Sequence, residues 1–331
     1  MIKKVILYVI AFIVVGELMI RFDKSFLIMG DKRVVKIPTN IELTPEYELI
    51  QNNSFNPLQN DFKIMVIGDS YIFGGGIEFK DNFSQNLKRM INSQKGNFEN
   101  CWVLDVSKPS SNTLDNNITY LEFVNRFKPD VVIIGYNLND IEGNLQKVNN
   151  DVSVSDFIKE QKTSSAEEKR LISKIYDIIY TSELIHFVLH ETHKQLKALG
   201  IIVPGSEFDL MLKSYWQNDN NWQQSKILLK EIIDHSKENN IQLIVYQFPE
   251  MDLIEHQKLF TKSSASIKSF FDGFPSVYFI NGNDQFKNEK SKNYVLSKYD
   301  GHPNEKAHKK IAERVFNLIK ETNKAYKPGD K

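Results

Sequence analysis

Phe62-Lys63-Ile64-Met65-Val66-Ile67-Gly68-Asp69-Ser70 is the stretch on which the fold turns. Apart from Lys63 the run is apolar at successive positions, so both faces of the strand it predicts must be covered. It breaks at a glycine followed by two small polar residues, the composition of a sharp turn at a strand end.

Outward from that strand the chain alternates strand and helix signals. A helix is predicted from about Asp81 to Ile91, with Phe83, Leu87, Met90 and Ile91 on one stripe. Trp102 to Val106 reads as a second strand, and Leu114, Ile118, Leu121 and Val124 mark the next helix face. Asp130 to Gly135 is a third strand, Ile241 to Phe248 a fourth and Ser276 to Ile280 a fifth. Ala307, Ile311, Val315, Phe316 and Ile319 give the last helix an apolar face. That alternation predicts an α/β fold with a parallel sheet. Residues 141–240 separate the third and fourth strands and carry amphipathic patterns such as Leu171, Ile172, Ile175 and Ile178, then Leu184 and Val188. They read as a helical insertion or lid, placed near the sheet edge where open α/β folds bind ligands.

The ends and the composition set further expectations. Lys3 and Lys4 precede an apolar run from Val5 to Ile20, interrupted late by Glu17 one turn before Arg21. A run of about 17 residues just spans a hydrocarbon core of roughly 30 Å. No small-x-small cleavage site follows, so residues 1–22 are expected to be a retained anchor. The leading lysines favour a cytoplasmic N-terminus, with the bulk of the chain outside the cytoplasm. Residues 23–60, with Pro38, Pro45 and Pro57, read as a spacer with room for a short element packed on the domain of residues 61–325. The chain carries 42 basic and 42 acidic residues, which gives no electrostatic reason to expect a nucleic acid partner. Cys101 is the only cysteine, so neither an intrachain disulfide nor a cysteine metal site can form, and it is expected to pack.

Three separated segments carry chemistry, each after a predicted strand or just before the last helix. They are Gly68-Asp69-Ser70, Asn137-Leu138-Asn139-Asp140 and Asp300-Gly301-His302-Pro303-Asn304. A serine hydroxyl becomes a useful nucleophile only when a base takes its proton, and histidine titrates in the right range. A carboxylate then fixes the imidazole tautomer, and an asparagine amide with backbone N–H groups suits a developing oxyanion. Ser70, His302 and Asp300 are the candidates for the first three roles, and Asn139 for the amide. The Gly74-Gly75-Gly76 run invites a phosphate-cradle reading, but neither Gly-x-x-x-x-Gly-Lys-Ser/Thr nor Gly-x-Gly-x-x-Gly stands there. His186, His190 and His193 lack the His-Glu-x-x-His order and read as a helix or lid face, so neither metal nor cofactor is expected. His235, His256 and His308 read as surface or helix-end residues.

The three segments resemble the sequence blocks of the SGNH hydrolase superfamily, the GDSL-type esterases and lipases, and most of all its membrane-anchored bacterial branch. Gly68 to Gly74 is similar to the nucleophile block, Asn139-Asp140 to the asparagine block, and Asp300 to Asn304 to the block that brings acid and base. The resemblance covers roughly residues 62–140 and 241–320. It implies a three-layer, flavodoxin-like sheet with a Ser70-His302-Asp300 triad, and an oxyanion hole of Ser70, Asn139 and Ser110. Two departures stand out: Ser110 occupies the place of a glycine whose N–H joins that hole, and Asp300 and His302 are two apart where three is common. The implied activity is ester hydrolysis, with O-acetyl or short-acyl groups on envelope carbohydrate or lipid as substrate class. An O-acyltransferase for polysaccharide, and a non-catalytic membrane-tethered scaffold or glycan-binding module, are the alternatives.

Overall fold

The computed structural model describes residues 44–94, 96, 98–142, 209–297 and 300–323. All of them fall within the compact unit formed by residues 35–148 and 207–331. The expected anchor at 1–22, most of the spacer, His186, His190, His193 and the greater part of the insertion lie outside the described residues. Among the described residues no helix is long and apolar enough to cross a membrane.

Five parallel strands form the centre: β1 (Phe62–Gly68), β2 (Cys101–Asp105), β3 (Val131–Tyr136), β4 (Gln242–Gln247) and β5 (Val277–Asn281), in the order β2-β1-β3-β4-β5. The alternation of side chains sorts β1 cleanly between two cores. Met65 and Ile67 face one, with Leu104, Val132, Ile134 and Val245; Ile64 and Val66 face the other, with Val103, Ile133 and Ile244.

Helices close both faces. On the Met65 side lie α1 (Pro45–Gln51), α4 (Thr113–Phe127), α5 (Asp209–Gln217), α6 (Asn220–Glu238) and α7 (Thr261–Asp272), contributing Ile50, Tyr120, Phe123, Tyr215, Leu229, Ile232 and Phe271. On the Ile64 side, α3 (Phe83–Ser93) and α8 (Glu305–Thr322) contribute Phe83, Leu87, Ile91, Ile311, Val315 and Ile319. The turn after β1 is a single helical turn, α2 (Ser70–Phe73). The antiparallel pair β6 (Val295–Ser297) and β7 (Asp300–Pro303) precedes α8.

The strand order reverses direction between β1 and β3. The loops leaving those two strands therefore flank the crevice at the carboxyl edge of the sheet, where ligands of open α/β sheets bind. Ser70 is on one of those loops and Asn137 on the other.

Most element ends differ from the sequence reading by one or two residues. Within the expected spacer, the short element packed on the domain is α1, which lies against β2 with Ile50 in the core and Glu46 buried. Glu46 becomes buriable through Lys88 on α3, whose Nζ lies 2.6 Å from its Oε1. The end of the expected insertion is part of the fold proper, since α6 packs on α4 and β4 as a crossover between β3 and β4. The third strand is Val131–Tyr136 rather than 130–135.

Candidate active site

Ser70 stands at the first position of α2, immediately beyond β1. Gly68 is paired with Gly135 across the β1–β3 ladder, and Ile72 from α2 packs down over both. A Cβ on Gly135 would come within 2.7 Å of the Ile72 side chain, and one on Gly68 within 2.6 Å of the Gly135 carbonyl oxygen. Two missing side chains thus seat the nucleophile turn directly on the sheet. Asp69 caps the turn, its Oδ1 accepting from Tyr71 N–H at 2.9 Å. The Ser70 N–H, at a helix start, has no partner inside the helix.

The candidate base and acid, His302 and Asp300, both lie on β7. Ser70 Oγ lies 2.9 Å from His302 Nε2, and His302 Nδ1 lies 2.6 Å from Asp300 Oδ1. The two-residue spacing lets one carboxylate oxygen do double duty, because Asp300 Oδ1 also accepts the His302 backbone N–H at 3.0 Å. The bond to Asp300 raises the His302 pKa above its ordinary value, against the effect of burial. Burial pushes Asp300 the other way, yet its bonds to the His302 ring and backbone hold it below the usual carboxylate range. Both shifts describe one imidazolium–carboxylate interaction. Ser70, remote in sequence from Asp300 and His302, therefore meets them in a continuous chain of hydrogen bonds.

The expected oxyanion donors fare differently. Asn139 sits in the 3-10 turn Leu138–Ile141 with its side chain exposed, its carbonyl oxygen accepting from Glu142 N–H. The asparagine beside the Ser70 turn is Asn137, only 2% exposed, whose side chain lies near enough to Asp69 to oppose the rise in its pKa. Its Oδ1 accepts from Leu138 N–H at 2.6 Å, so the Nδ2 end is the one available to Asp69 and to an incoming oxyanion. Its backbone N–H is held by Asp140 Oδ2 at 3.2 Å. The Asn137-x-x-Asp140 capping box is visible in the sequence and marks Asn137 as the strand-end residue.

Ser110 holds a left-handed backbone state that glycine adopts most readily, with φ at 64°. It follows Pro109 in a turn closed by Ser111 N–H to the Lys108 carbonyl, the arrangement of a type II turn. Lys108 N–H donates to the Gly68 carbonyl at 2.9 Å, which ties this exposed loop to the nucleophile strand.

Around the relay lie further buried titratable groups. Burial raises Asp69 to about 6, partly opposed by Tyr71 N–H and by the charge of His302. Asp140 is wholly buried and pushed up by burial and by Asp69. His308, expected at a surface or helix end, is fully buried on α8, where its Nδ1 accepts from Phe83 N–H at 3.0 Å. Burial drives it down to about 3, so it stays neutral and is no second base.

No family model matches the chain, and neither does any curated protein sequence. Solved structures similar to it include the lipase/acylhydrolase from Enterococcus faecalis, at 11% identity and a TM-score of 0.46 over 81% of this chain and 100% of that one. TesA matches at 10% identity and a TM-score of 0.43, over 78% of this chain and 98% of that one. A GDSL-like lipase from Bacteroides thetaiotaomicron matches at 9% identity and a TM-score of 0.40, over 85% and 99%.

Proposed function

We propose that this chain is a serine hydrolase of the SGNH type that cleaves carboxylic esters. The single observation that supports it is the unbroken Ser70–His302–Asp300 relay beside the Asn137 amide. Ser70 Oγ attacks the ester carbonyl while His302 Nε2 takes its proton, and Asp300 holds the imidazole in the tautomer that can accept it. The tetrahedral oxygen is received by Ser70 N–H and Asn137 Nδ2, with Ser110 N–H as third donor. His302 then returns the proton to the leaving alcohol, and water deacylates Ser70 by the same route reversed.

The finer reading is that the ester is an O-acetyl or short-acyl group on envelope carbohydrate or lipid. It rests on the likeness to the anchored branch and on the Lys3-Lys4 apolar N-terminus, which supports a site held outside the cytoplasm by a membrane anchor. The half-exposed His302 side chain, 38% accessible, leaves room for an alcohol acceptor in place of water, so polysaccharide O-acylation is the second reading. A retired, non-catalytic fold has no use for an intact relay, and that argues against a scaffold.

Ser70→Ala is expected to abolish turnover of p-nitrophenyl acetate by the full-length chain while leaving its melting temperature unchanged. A fluorophosphonate is expected to label Ser70 in the wild type. Full turnover by Ser70→Ala, or no adduct on the wild type, would refute the reading.

A further inference from the structure

Tyr71 follows the nucleophile directly, and its ring stands 5.3 Å from the His302 ring at an interplanar angle of 51°. On its other side it meets Phe248 edge-on, at 5.7 Å and 83°. Its hydroxyl makes a long hydrogen bond, 3.4 Å, to Oε2 of Glu250, a residue only 6% exposed. Phe248 and Glu250 both belong to the loop leaving β4. The segment that follows, Met251–Phe260, packs on β7, the strand that carries Asp300 and His302. Within that segment Asp252 lies against Gly301, where an added Cβ would come within 3.1 Å of its Cβ and Cγ. One phenol therefore touches the nucleophile turn, the exit of β4 and the catalytic base.

The relay alone leaves the imidazole loosely held at one stage. While Ser70 is free, His302 is tied at both nitrogens. Once Ser70 is acylated its Oγ no longer carries a proton to share, and only the Asp300 bond remains. The half-exposed ring must still aim Nε2 first at the leaving alcohol and then at water. Small misalignments of a proton-transfer group are costly, so a wall against the ring face raises the rate without touching substrate.

We propose that Tyr71 is that wall, a positioning residue for His302, and that Glu250 fixes Tyr71 in place through its hydroxyl. The inference rests on the serine-hydrolase reading above. Removing the wall acts on kcat and spares KM, because ground-state binding of a small ester does not involve it.

The test is steady-state turnover of p-nitrophenyl acetate by full-length variants. Tyr71→Ala is expected to lower kcat by about tenfold or more, with KM raised less than about twofold. Tyr71→Phe, which keeps the wall and loses its anchor, is expected to lower kcat by roughly threefold, and Glu250→Ala by the same factor. Glu250→Gln keeps an acceptor and is expected to restore the wild-type rate. The Tyr71→Phe/Glu250→Ala double variant is expected to be no slower than either single one. A wild-type kcat in Tyr71→Ala, a loss confined to KM, or equal losses in Glu250→Gln and Glu250→Ala would each overturn the proposal. If Tyr71→Ala fails to fold, the Tyr71→Phe and Glu250 variants decide it. Absence of a fluorophosphonate adduct on wild-type Ser70 would instead remove the underlying reading, which separates the two failures.

Discussion

At the scale of single residues, the grouping of Ser70 with His302 and Asp300 is legible in the sequence and the buried place of Asn137 is not, for a definite reason. Ser70 follows a strand that no other reading fits, and Asp300 and His302 share one short motif ahead of an amphipathic helix. Asn137 and Asn139 both follow the same strand, two apart, and only the turn geometry separates them. The strand runs to Tyr136, one residue past the expected end, which puts Asn137 at the buried rim and turns Asn139 outward. Asn137→Ala is therefore expected to lower kcat by roughly 10²–10³, as loss of one oxyanion donor does elsewhere, while Asn139→Ala stays near wild type. Equal effects from the two would remove Asn137 from the site. The relay also fixes a pH dependence. His302 must be neutral to accept the Ser70 proton, and the Asp300 bond raises its pKa above 6.5. The acid limb of kcat/KM is thus expected above pH 6.5, with activity rising through it. In Asp300→Asn that bond to a carboxylate is lost, so the limb should move to lower pH while kcat falls by roughly 10⁴. An unmoved limb would show that another group sets it.

At the scale of elements, strands buried on both faces and helices with a clear stripe announced themselves, whereas elements that need a tertiary partner did not. In α1 the buried positions include Glu46, which alone argues for solvent, and its burial is made tolerable by Lys88 on α3 together with the Val103 N–H of β2. The β6–β7 pair is too short to show a period, yet it carries both relay residues on β7. The crossover helix α6 is hard to separate by sequence from the long stretch before it, although Trp222, Leu228, Leu229, Ile232 and Ile233 follow a helical spacing. The most consequential packing is that of α2 on the sheet. Gly135→Ala would thrust a methyl to within 2.7 Å of Ile72, and the turn that must give way is the one holding Ser70. It is expected to cost about 1–3 kcal/mol in urea unfolding and to lower kcat at the same time. Unchanged stability and activity would mean that α2 is not held by those contacts.

At the scale of the whole molecule, zero formal net charge leaves the pH response of stability to individual buried groups, and two of them oppose each other. His308 titrates near 3 in the folded chain against 6.5 when free. Between those values the unfolded chain binds the proton and the folded chain does not, so His308 lowers stability as pH falls from 6.5 towards 3. The slope approaches about 1.4 kcal/mol per pH unit. Asp69 titrates at about 6 when folded against 3.8 when free. In that window the folded chain holds the proton, so Asp69 raises stability as pH falls, with a similar slope of about 1.4 kcal/mol per unit. Asp105 and Asp140, both pushed up by burial, act in the same sense as Asp69. Urea unfolding at pH 7, 6 and 5, followed by tryptophan fluorescence, separates the terms by difference. Relative to wild type, His308→Gln should gain stability progressively as pH falls from 7 to 5, and Asp69→Asn should lose it between pH 6 and 5. The two differences must carry opposite signs, because one group is held neutral by excluding a proton and the other by keeping one. A His308→Gln curve parallel to wild type would mean that the imidazole exchanges its proton with water in the native state, and so is not sealed between α3 and α8.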